Sequence, residues 1–317
     1  MAFFRLIRIS NLLIIALGLS LFYYLILIPV HHNILHTTLA PFTNSEFVLF
    51  VLSTVLVAAA GNIINDYFDF ELDKEFKSDR PLASGKISLD NAIYLHAALA
   101  FGGIGLGFYL GWKNNNYRIG YVYVVCTLLL YVYSAFLKKL PLVGNIVVSG
   151  LVAFSFLLLL MFEARFLNTI YFDEGNYAFV ILLSQVKFYA GFAFITNLAR
   201  EVVKDLEDQS GDAKYDINTL AVQFGSVVAK IAVAIILLVL LAGLGYFMKD
   251  FYAAKAIKEF LYLGVLIVLP VLVVFVGLGK AKEQKDYNRI SLALKVIMLM
   301  GIMSMPAFYL FHSLTTA

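Results

Sequence analysis

Residues 47–73 read Phe47-Val48-Leu49-Phe50-Val51-Leu52-Ser53-Thr54-Val55-Leu56-Val57-Ala58-Ala59-Ala60-Gly61-Asn62-Ile63-Ile64-Asn65-Asp66-Tyr67-Phe68-Asp69-Phe70-Glu71-Leu72-Asp73. The first part is nearly all apolar. At 1.5 Å per residue such a run crosses the ~30 Å hydrocarbon layer as a helix. The end of the run is acidic. Carboxylates at a membrane boundary are costly to place, so a group of them implies a bound cation and an anionic substrate. The pattern recurs at Lys204-Asp205-Leu206-Glu207-Asp208-Gln209-Ser210-Gly211-Asp212, again after a long apolar run.

Working outward, the whole chain has the same character. Of its 317 residues 62% are hydrophobic and 14% charged, with a mean hydropathy of +0.86. Soluble domains hold about 25% charged residues, so the composition is that of a polytopic membrane protein. Runs of spanning length fall at about 11–30, 46–66, 88–111, 119–137, 142–162, 177–199, 226–248, 259–279 and 291–313. Backbone groups in lipid must be satisfied within each span, which requires helices here, since the alternating segments of a membrane barrel are missing. The expectation is an all-α chain of nine transmembrane helices, 1–317 forming one integral-membrane domain, with two weakly related halves. Arg5 and Arg8 precede the first run, which lacks a small-residue cleavage site and reads as a retained helix. The net charge of +3 is dispersed, which argues against nucleic-acid binding. The lone Cys126 excludes an internal disulfide.

Lys and Arg set the orientation. One set of connections carries Arg5, Arg8, Lys74, Lys77, Arg80, Lys86, Lys138, Lys139, Arg200, Lys204, Lys214, Lys280, Lys282, Lys285 and Arg289. The other carries Lys113, Arg118, Arg165, Lys249, Lys255 and Lys258. The richer set is expected to be cytoplasmic, which puts the N-terminus and both acidic segments inside a cell (inner) membrane and the C-terminus on the opposite side.

On a helix, Asn65, Asp69 and Asp73 stand at i, i+4 and i+8, with Asp66 beside them. Asp205, Asp208 and Asp212 stand at i, i+3 and i+7. Oxygen ligands at this spacing suit Mg²⁺, which shares carboxylates with substrate phosphates. Two such faces opposed across a cavity would hold a diphosphate between two ions. A single acidic pair of this kind is more often a solvated helix end; two in equivalent places outweigh that reading. Basic candidates for the phosphate are Arg8, Arg80, Lys138, Lys139 and Lys204. Tyr133 and Ser134 lie about a turn from Lys138 and are expected to share its anion, whereas Lys139 reads as a topology marker. Lys187 lies near mid-membrane and is expected to face the bundle interior. His31, His32 and His36 have no acidic neighbour and read as interfacial rather than as a metal site. Gly102, Gly103, Gly105 and Gly107 read as sites of close helix packing.

These residues resemble a known family. Asn65-Asp66-Tyr67-Phe68-Asp69-Phe70-Glu71-Leu72-Asp73, followed by Arg80-Pro81-Leu82-Ala83-Ser84-Gly85, resembles the first motif and its loop in the UbiA superfamily of intramembrane prenyltransferases. Asp208 and Asp212 resemble the second motif, with Asp205 an added acid. Tyr133-Ser134, Lys138 and Gly144-Asn145 resemble the family's segment between the fourth and fifth helices, and Arg8 with Asn11 its first helix. The resemblance implies a nine-helix bundle around a central cavity open to the bilayer, and Mg²⁺ on Asn65, Asp66, Asp69, Asp73, Asp205, Asp208 and Asp212. It further implies that Asp69, Asp73, Asp208 and Asp212 are catalytic. Arg8, Asn11, Arg80, Tyr133, Ser134, Lys138 and Lys204 would then bind substrate. The implied partners are an isoprenyl diphosphate, a lipophilic acceptor and membrane lipids, with no obligate protein partner. Arg200 to Asp212 is similar to the form in members that join geranylgeranyl to geranylgeranylglyceryl phosphate. Members that prenylate aromatic or tetrapyrrole acceptors share parts of the pattern. The chain departs from the family at Asp216, where glycine is common. A cation-coupled transporter would place its charges near the midplane of both halves rather than at helix ends beside Arg and Lys.

Overall fold

The structure is a computed structural model. It describes the backbone of residues 1–33, 42–174 and 176–313, and the side chains of 1–30, 42–161 and 180–311. The helices are α1 (Ala2–Leu6), α2 (Ile9–Phe22), α3 (Ile28–Asn33), α4 (Asn44–Phe68), α5 (Phe70–Phe76), α6 (Leu89–Lys113), α7 (Arg118–Ala135), α8 (Val143–Glu174), α9 (Asn176–Lys214), α10 (Leu220–Ala253), α11 (Ile257–Leu263), α12 (Leu269–Lys280) and α13 (Gln284–Ser313). Single wide turns link α2 to α3 and α11 to α12. Among the described residues nine stretches are long and apolar enough to cross a membrane, matching the nine runs of the sequence. The sixth is longer than its apolar run: it continues to Lys214, so the second acidic segment lies on α9. His36 and the side chains of His31 and His32 lie outside the described residues.

The chain divides into two compact units. The first comprises Met1–Ser20, Leu35–Lys138 and Leu158–Asn176. Here α4 starts at a capping box in which Thr43 accepts from the Glu46 amide and the Glu46 carboxylate accepts from the Thr43 amide. Lys113, at the end of α6, pairs with the same Glu46 at 3.4 Å. Close approach of α6 depends on two of its glycines. A Cβ on Gly103 would sit 2.7 Å from Val57, and one on Gly107 would sit 2.3 Å from Tyr123. Ser53 donates to the carbonyl of Gly103 at 2.6 Å, closing the contact with a hydrogen bond. Gly105 meets nothing within 4 Å and Gly102 only Leu56 at 3.7 Å, so the expected packing role narrows to two of the four glycines. Beneath the acidic segment, Leu6, Ile7, Leu12, Ala59, Ile63, Leu82 and Ala92 form a buried core.

The second unit comprises Leu21–Ile34, Lys139–Leu157 and Tyr177–Ala317. Val202, Val203 and Leu206 of α9 pack with Ala221, Ala229 and Val233 of α10 and with Ile290, Leu294 and Ile297 of α13. Further along α9, Leu182, Val186, Tyr189 and Ala190 make its buried stripe. Lys187 falls outside that stripe, exposed on the side that also exposes Val180 and Ser184. Lys187 stands eighteen residues, five full helical turns, before Asp205 and therefore on the same face of α9 as the second acidic segment.

Candidate active site

Three local devices present the first acidic segment. The helix α4 ends at Phe68, Asp69 takes the capping position (φ −88°, ψ 2°), and α5 resumes at once. The backbone stays near-helical through the junction: the Asp69 amide donates to Asn65 and the Asp73 amide to Asp69. Second, the loop after α5 carries Arg80. Gly85 there has φ 69°, a left-handed conformation that costs glycine nothing and other residues about a kcal/mol or more. The Ser84 amide donates to the Arg80 carbonyl, and buried Leu82 pins the loop to the core. Third, Arg8 stands in the break between α1 and α2 with φ 53°. A non-glycine residue in this region is strained and persists only when its surroundings hold it. Asn62 holds it by donating to the Ile7 carbonyl at 2.9 Å, and Asp66 by accepting from Arg8 at 2.6 Å.

The result is a lattice of charges. Arg80 donates to Asp73 at 2.6 Å and reaches Asp66 at 3.4 Å, so Arg8, Asp66, Arg80 and Asp73 form a chain. Lys138 donates to Asp69 at 2.6 Å and reaches Asn65 at 3.5 Å, while Asn65 donates to Asp69 at 3.1 Å. Three carboxylates thus hold three cations of the protein itself. The grouping differs from helical spacing alone: Asp66 and Asp73 share Arg80, whereas Asn65 and Asp69 share Lys138. Asp73 is buried, and its Oδ1 has no hydrogen-bond partner. Burial pushes its pKa up to about 6; Arg80 opposes the rise and Asp69 adds to it.

Among the described residues no three acids or histidines close around one point as a ready metal cage. The donor set nevertheless fits a hard divalent cation. It is all oxygen, it includes the orphaned buried Oδ1 of Asp73, and its positions are already held by positive charge. The residues that would hold the ion are Asn65, Asp66, Asp69 and Asp73.

In the second unit, Asp205, Asp208 and Asp212 follow one another along a face of α9, which continues back through Glu201 and Asn197 at the same 3–4 residue spacing. Two polar residues a turn apart on α8 meet this face. Asn145 donates to Asp205 at 2.9 Å, and Asn197 donates to Ser149 at 3.1 Å. Lys204 pairs with Glu201 at 2.6 Å. Asp208 is half-buried and Asp212 buried. The helix then stops in a left-handed turn: Asp216 has φ 53°, and the Ile217 amide donates to the Asp212 carbonyl at 2.9 Å. This is the arrangement for which glycine is favoured at helix C-termini, and aspartate is among the residues that tolerate it. The departure at Asp216 therefore leaves the turn in place.

The remaining candidates sort unevenly. Tyr133 is half-buried near the end of α7, and Asn11 is half-buried in the first turn of α2. Ser134 is fully buried and donates its hydroxyl to the Leu130 carbonyl at 2.8 Å, which corrects its expected pairing with Lys138 on an anion. Lys139 is exposed, as a topology marker would be. The roles of Glu201 and Ser149 went unread in the sequence. The acidic stripe continued two turns upstream, and the i, i+4 pair Asn145 and Ser149, are the signals that identify them.

Residues 26–300 match the profile of the UbiA prenyltransferase family. A digeranylgeranylglyceryl phosphate synthase of Korarchaeum cryptofilum is 32% identical over 264 residues, covering 83% of this chain and 85% of the relative. Among solved structures, one of a digeranylgeranylglyceryl phosphate synthase superposes with a TM-score of 0.59 at 24% identity, covering 96% of both chains. A UbiA homologue from Archaeoglobus fulgidus bound to GPP and Mg²⁺ also gives 0.59, at 16% identity, covering 96% of this chain and all of the other.

Proposed function

The chain belongs to the UbiA prenyltransferase family, and from that premise we propose that it transfers a geranylgeranyl group from its diphosphate to the free hydroxyl of geranylgeranylglyceryl phosphate. The allylic C–O bond to diphosphate breaks, the acceptor oxygen bonds to the freed carbon, and the hydroxyl proton leaves to the departing diphosphate or a nearby carboxylate. The product is a digeranylgeranylglyceryl phosphate.

The observation that carries the reading is the self-neutralised lattice of Asp66, Asp69 and Asp73 with Arg8, Arg80 and Lys138. A site built to hold diphosphate with divalent ions needs carboxylates for the ions and cations for the phosphate oxygens, interleaved. Both are present, paired with each other. On binding, the carboxylates exchange Arg80 and Lys138 for the ions, and the released guanidinium and ammonium turn to the diphosphate. When ion and diphosphate arrive together, each carboxylate trades a protein cation for an ion and each released cation gains phosphate oxygens, which matters at a membrane boundary. Bound Mg²⁺ supplies neutralisation of the charge that develops on the leaving group. The protein's own cations, held in advance, add stabilisation that grows as the bond breaks. A role for Asp205, Asp208 and Asp212 in diphosphate binding is supported by their resemblance to the family's second motif and by the one-sided stripe on α9.

As a multi-pass membrane protein the chain takes both substrates from the bilayer. We place its N-terminus and both acidic segments on the cytoplasmic side of the cell membrane, on the weight of Lys and Arg in those connections. All of 1–317 acts as one catalytic domain. The test is incubation of purified protein with Mg²⁺, geranylgeranyl diphosphate and a panel of acceptors, with products identified by mass. Formation of the doubly prenylated glyceryl phosphate supports the reading. Product only with an aromatic or tetrapyrrole acceptor transfers the assignment to that chemistry.

A further inference from the structure

One cation stands apart from the chemistry above. Lys187 projects from the membrane-spanning part of α9, and its side chain is exposed. Among the described residues none forms an ion pair or hydrogen bond with it. A lysine within a membrane span is costly, so one held there without a protein partner points to a function.

Its place on the helix is informative. At 100° per residue Lys187 shares a face with Glu201, Asp205, Asp208 and Asp212. Between Lys187 and Glu201 that face carries Gly191, Phe194 and Leu198, with no charge. A Cβ on Gly191 would meet nothing within 4 Å among the described residues, so the face is open there. Other sides of α9 at this level are engaged. Phe188 packs edge-on against Phe247 of α10 at 4.4 Å, and Tyr189 shares a hydrogen bond with Ser304 of α13. Phe22 of α2 packs on both Tyr189 and Phe156 of α8.

The uncharged part of the face has a length with chemical meaning. Lys187 and Glu201 are fourteen residues apart, about 21 Å along the helix axis. An extended geranylgeranyl chain, built of C–C bonds of about 1.5 Å, measures about 20 Å. A donor with its diphosphate at the acids would lay a tail of this length along the face and end it beside Lys187. One more isoprene unit adds about 5 Å and puts an apolar terminus over the ammonium, stripping its water.

We propose that Lys187 is the far limit of the donor's tail site and excludes prenyl chains longer than geranylgeranyl. Gly191, one turn nearer the acids, leaves the room that the last isoprene unit fills. The assignment concerns chain length, and it rests on the prenyl-donor reading above.

The test is calorimetric titration of the purified, detergent-solubilised full chain with Mg²⁺ and thiolodiphosphate analogues of the farnesyl, geranylgeranyl and farnesylgeranyl donors. Wild type, Lys187→Met, Lys187→Arg and Gly191→Leu are compared. The wild type is expected to bind the geranylgeranyl analogue most tightly. Small apolar additions in a fitted site change affinity by about tenfold or more, and Lys187→Met is expected to raise the farnesylgeranyl-to-geranylgeranyl affinity ratio by that factor. Lys187→Arg keeps the wild-type ratio. Gly191→Leu acts in the opposite direction and lowers geranylgeranyl affinity relative to farnesyl roughly tenfold. A purely structural lysine would change all three affinities alike. Such an equal change, an unmoved ratio in Lys187→Met or in folded Gly191→Leu, or a wild type that binds the longest chain as tightly as geranylgeranyl overturns the proposal. Thermal unfolding checks each variant, and Lys187→Met decides if Gly191→Leu does not fold. Release of diphosphate from the natural donors, measured in parallel with acceptor, separates the two readings. Length-dependent binding without release upholds the limit and removes the transfer reading. Release with an unmoved ratio removes only the limit, and no binding of any analogue removes both.

Discussion

Arg80 and Lys138 each sit 2.6 Å from a carboxylate that the family resemblance gives to a metal ion. A divalent ion arriving alone must displace them and leave them without a partner; arriving with diphosphate, it gives them one. Ion and anion binding are therefore coupled, and coupling of this kind is typically about 5- to 150-fold. Mn²⁺ titrated by electron paramagnetic resonance is predicted to bind weakly alone and at least about fivefold more tightly with inorganic diphosphate. Arg80→Gln is predicted to tighten Mn²⁺ binding alone and to diminish the enhancement. Equal Mn²⁺ affinity with and without diphosphate in the wild type would contradict the exchange. At Asp216 the issue is backbone conformation. With φ at 53°, Asp216→Gly is predicted to hold or raise thermal stability, by up to about 1 kcal/mol, whereas Asp216→Val lowers it by about 1–2 kcal/mol. A stable valine variant would show that the turn is not obligatory.

At the scale of helices, the spans were legible because desolvation acts residue by residue, and a run of twenty apolar residues carries its own reading. The acids' shared faces were legible for the same local reason: helical spacing places them. Which cation meets which acid was not. Lys138 is 69 residues from Asp69, and its choice depends on how α7 ends against α4, information that no local pattern contains. Ser134 looked available at one turn from Lys138, but a buried serine in a helix satisfies its hydroxyl on its own backbone, here at Leu130. The glycines of α6 show the same division. Composition marks a small-residue helix, and only packing tells Gly103 from Gly105. Gly103→Ala is predicted to destabilise by about 1–3 kcal/mol, because Val57 and the Ser53 carbonyl stand where the methyl would go. Gly105→Ala is predicted to leave the unfolding temperature unchanged or slightly raised. Matching losses in the two variants would refute the packing assignment.

For the whole molecule, a single chemical logic links the two acidic segments: each ends an apolar stretch, each keeps basic residues beside its carboxylates, and each is braced by amide side chains, Asn65 in one unit and Asn145 in the other. Each segment is proposed to act in the release of diphosphate from a prenyl donor. The most direct measurement is Mg²⁺-dependent release of diphosphate from geranylgeranyl diphosphate, with acceptor present, by purified wild type, Asp69→Asn and Asp208→Asn after each variant is shown to be membrane-inserted and folded. Loss of preorganised charge at either segment predicts a fall of roughly 100-fold or more in each single variant. Full turnover in either variant, beside an active wild type, would mean that its segment plays no part in breaking the donor's bond.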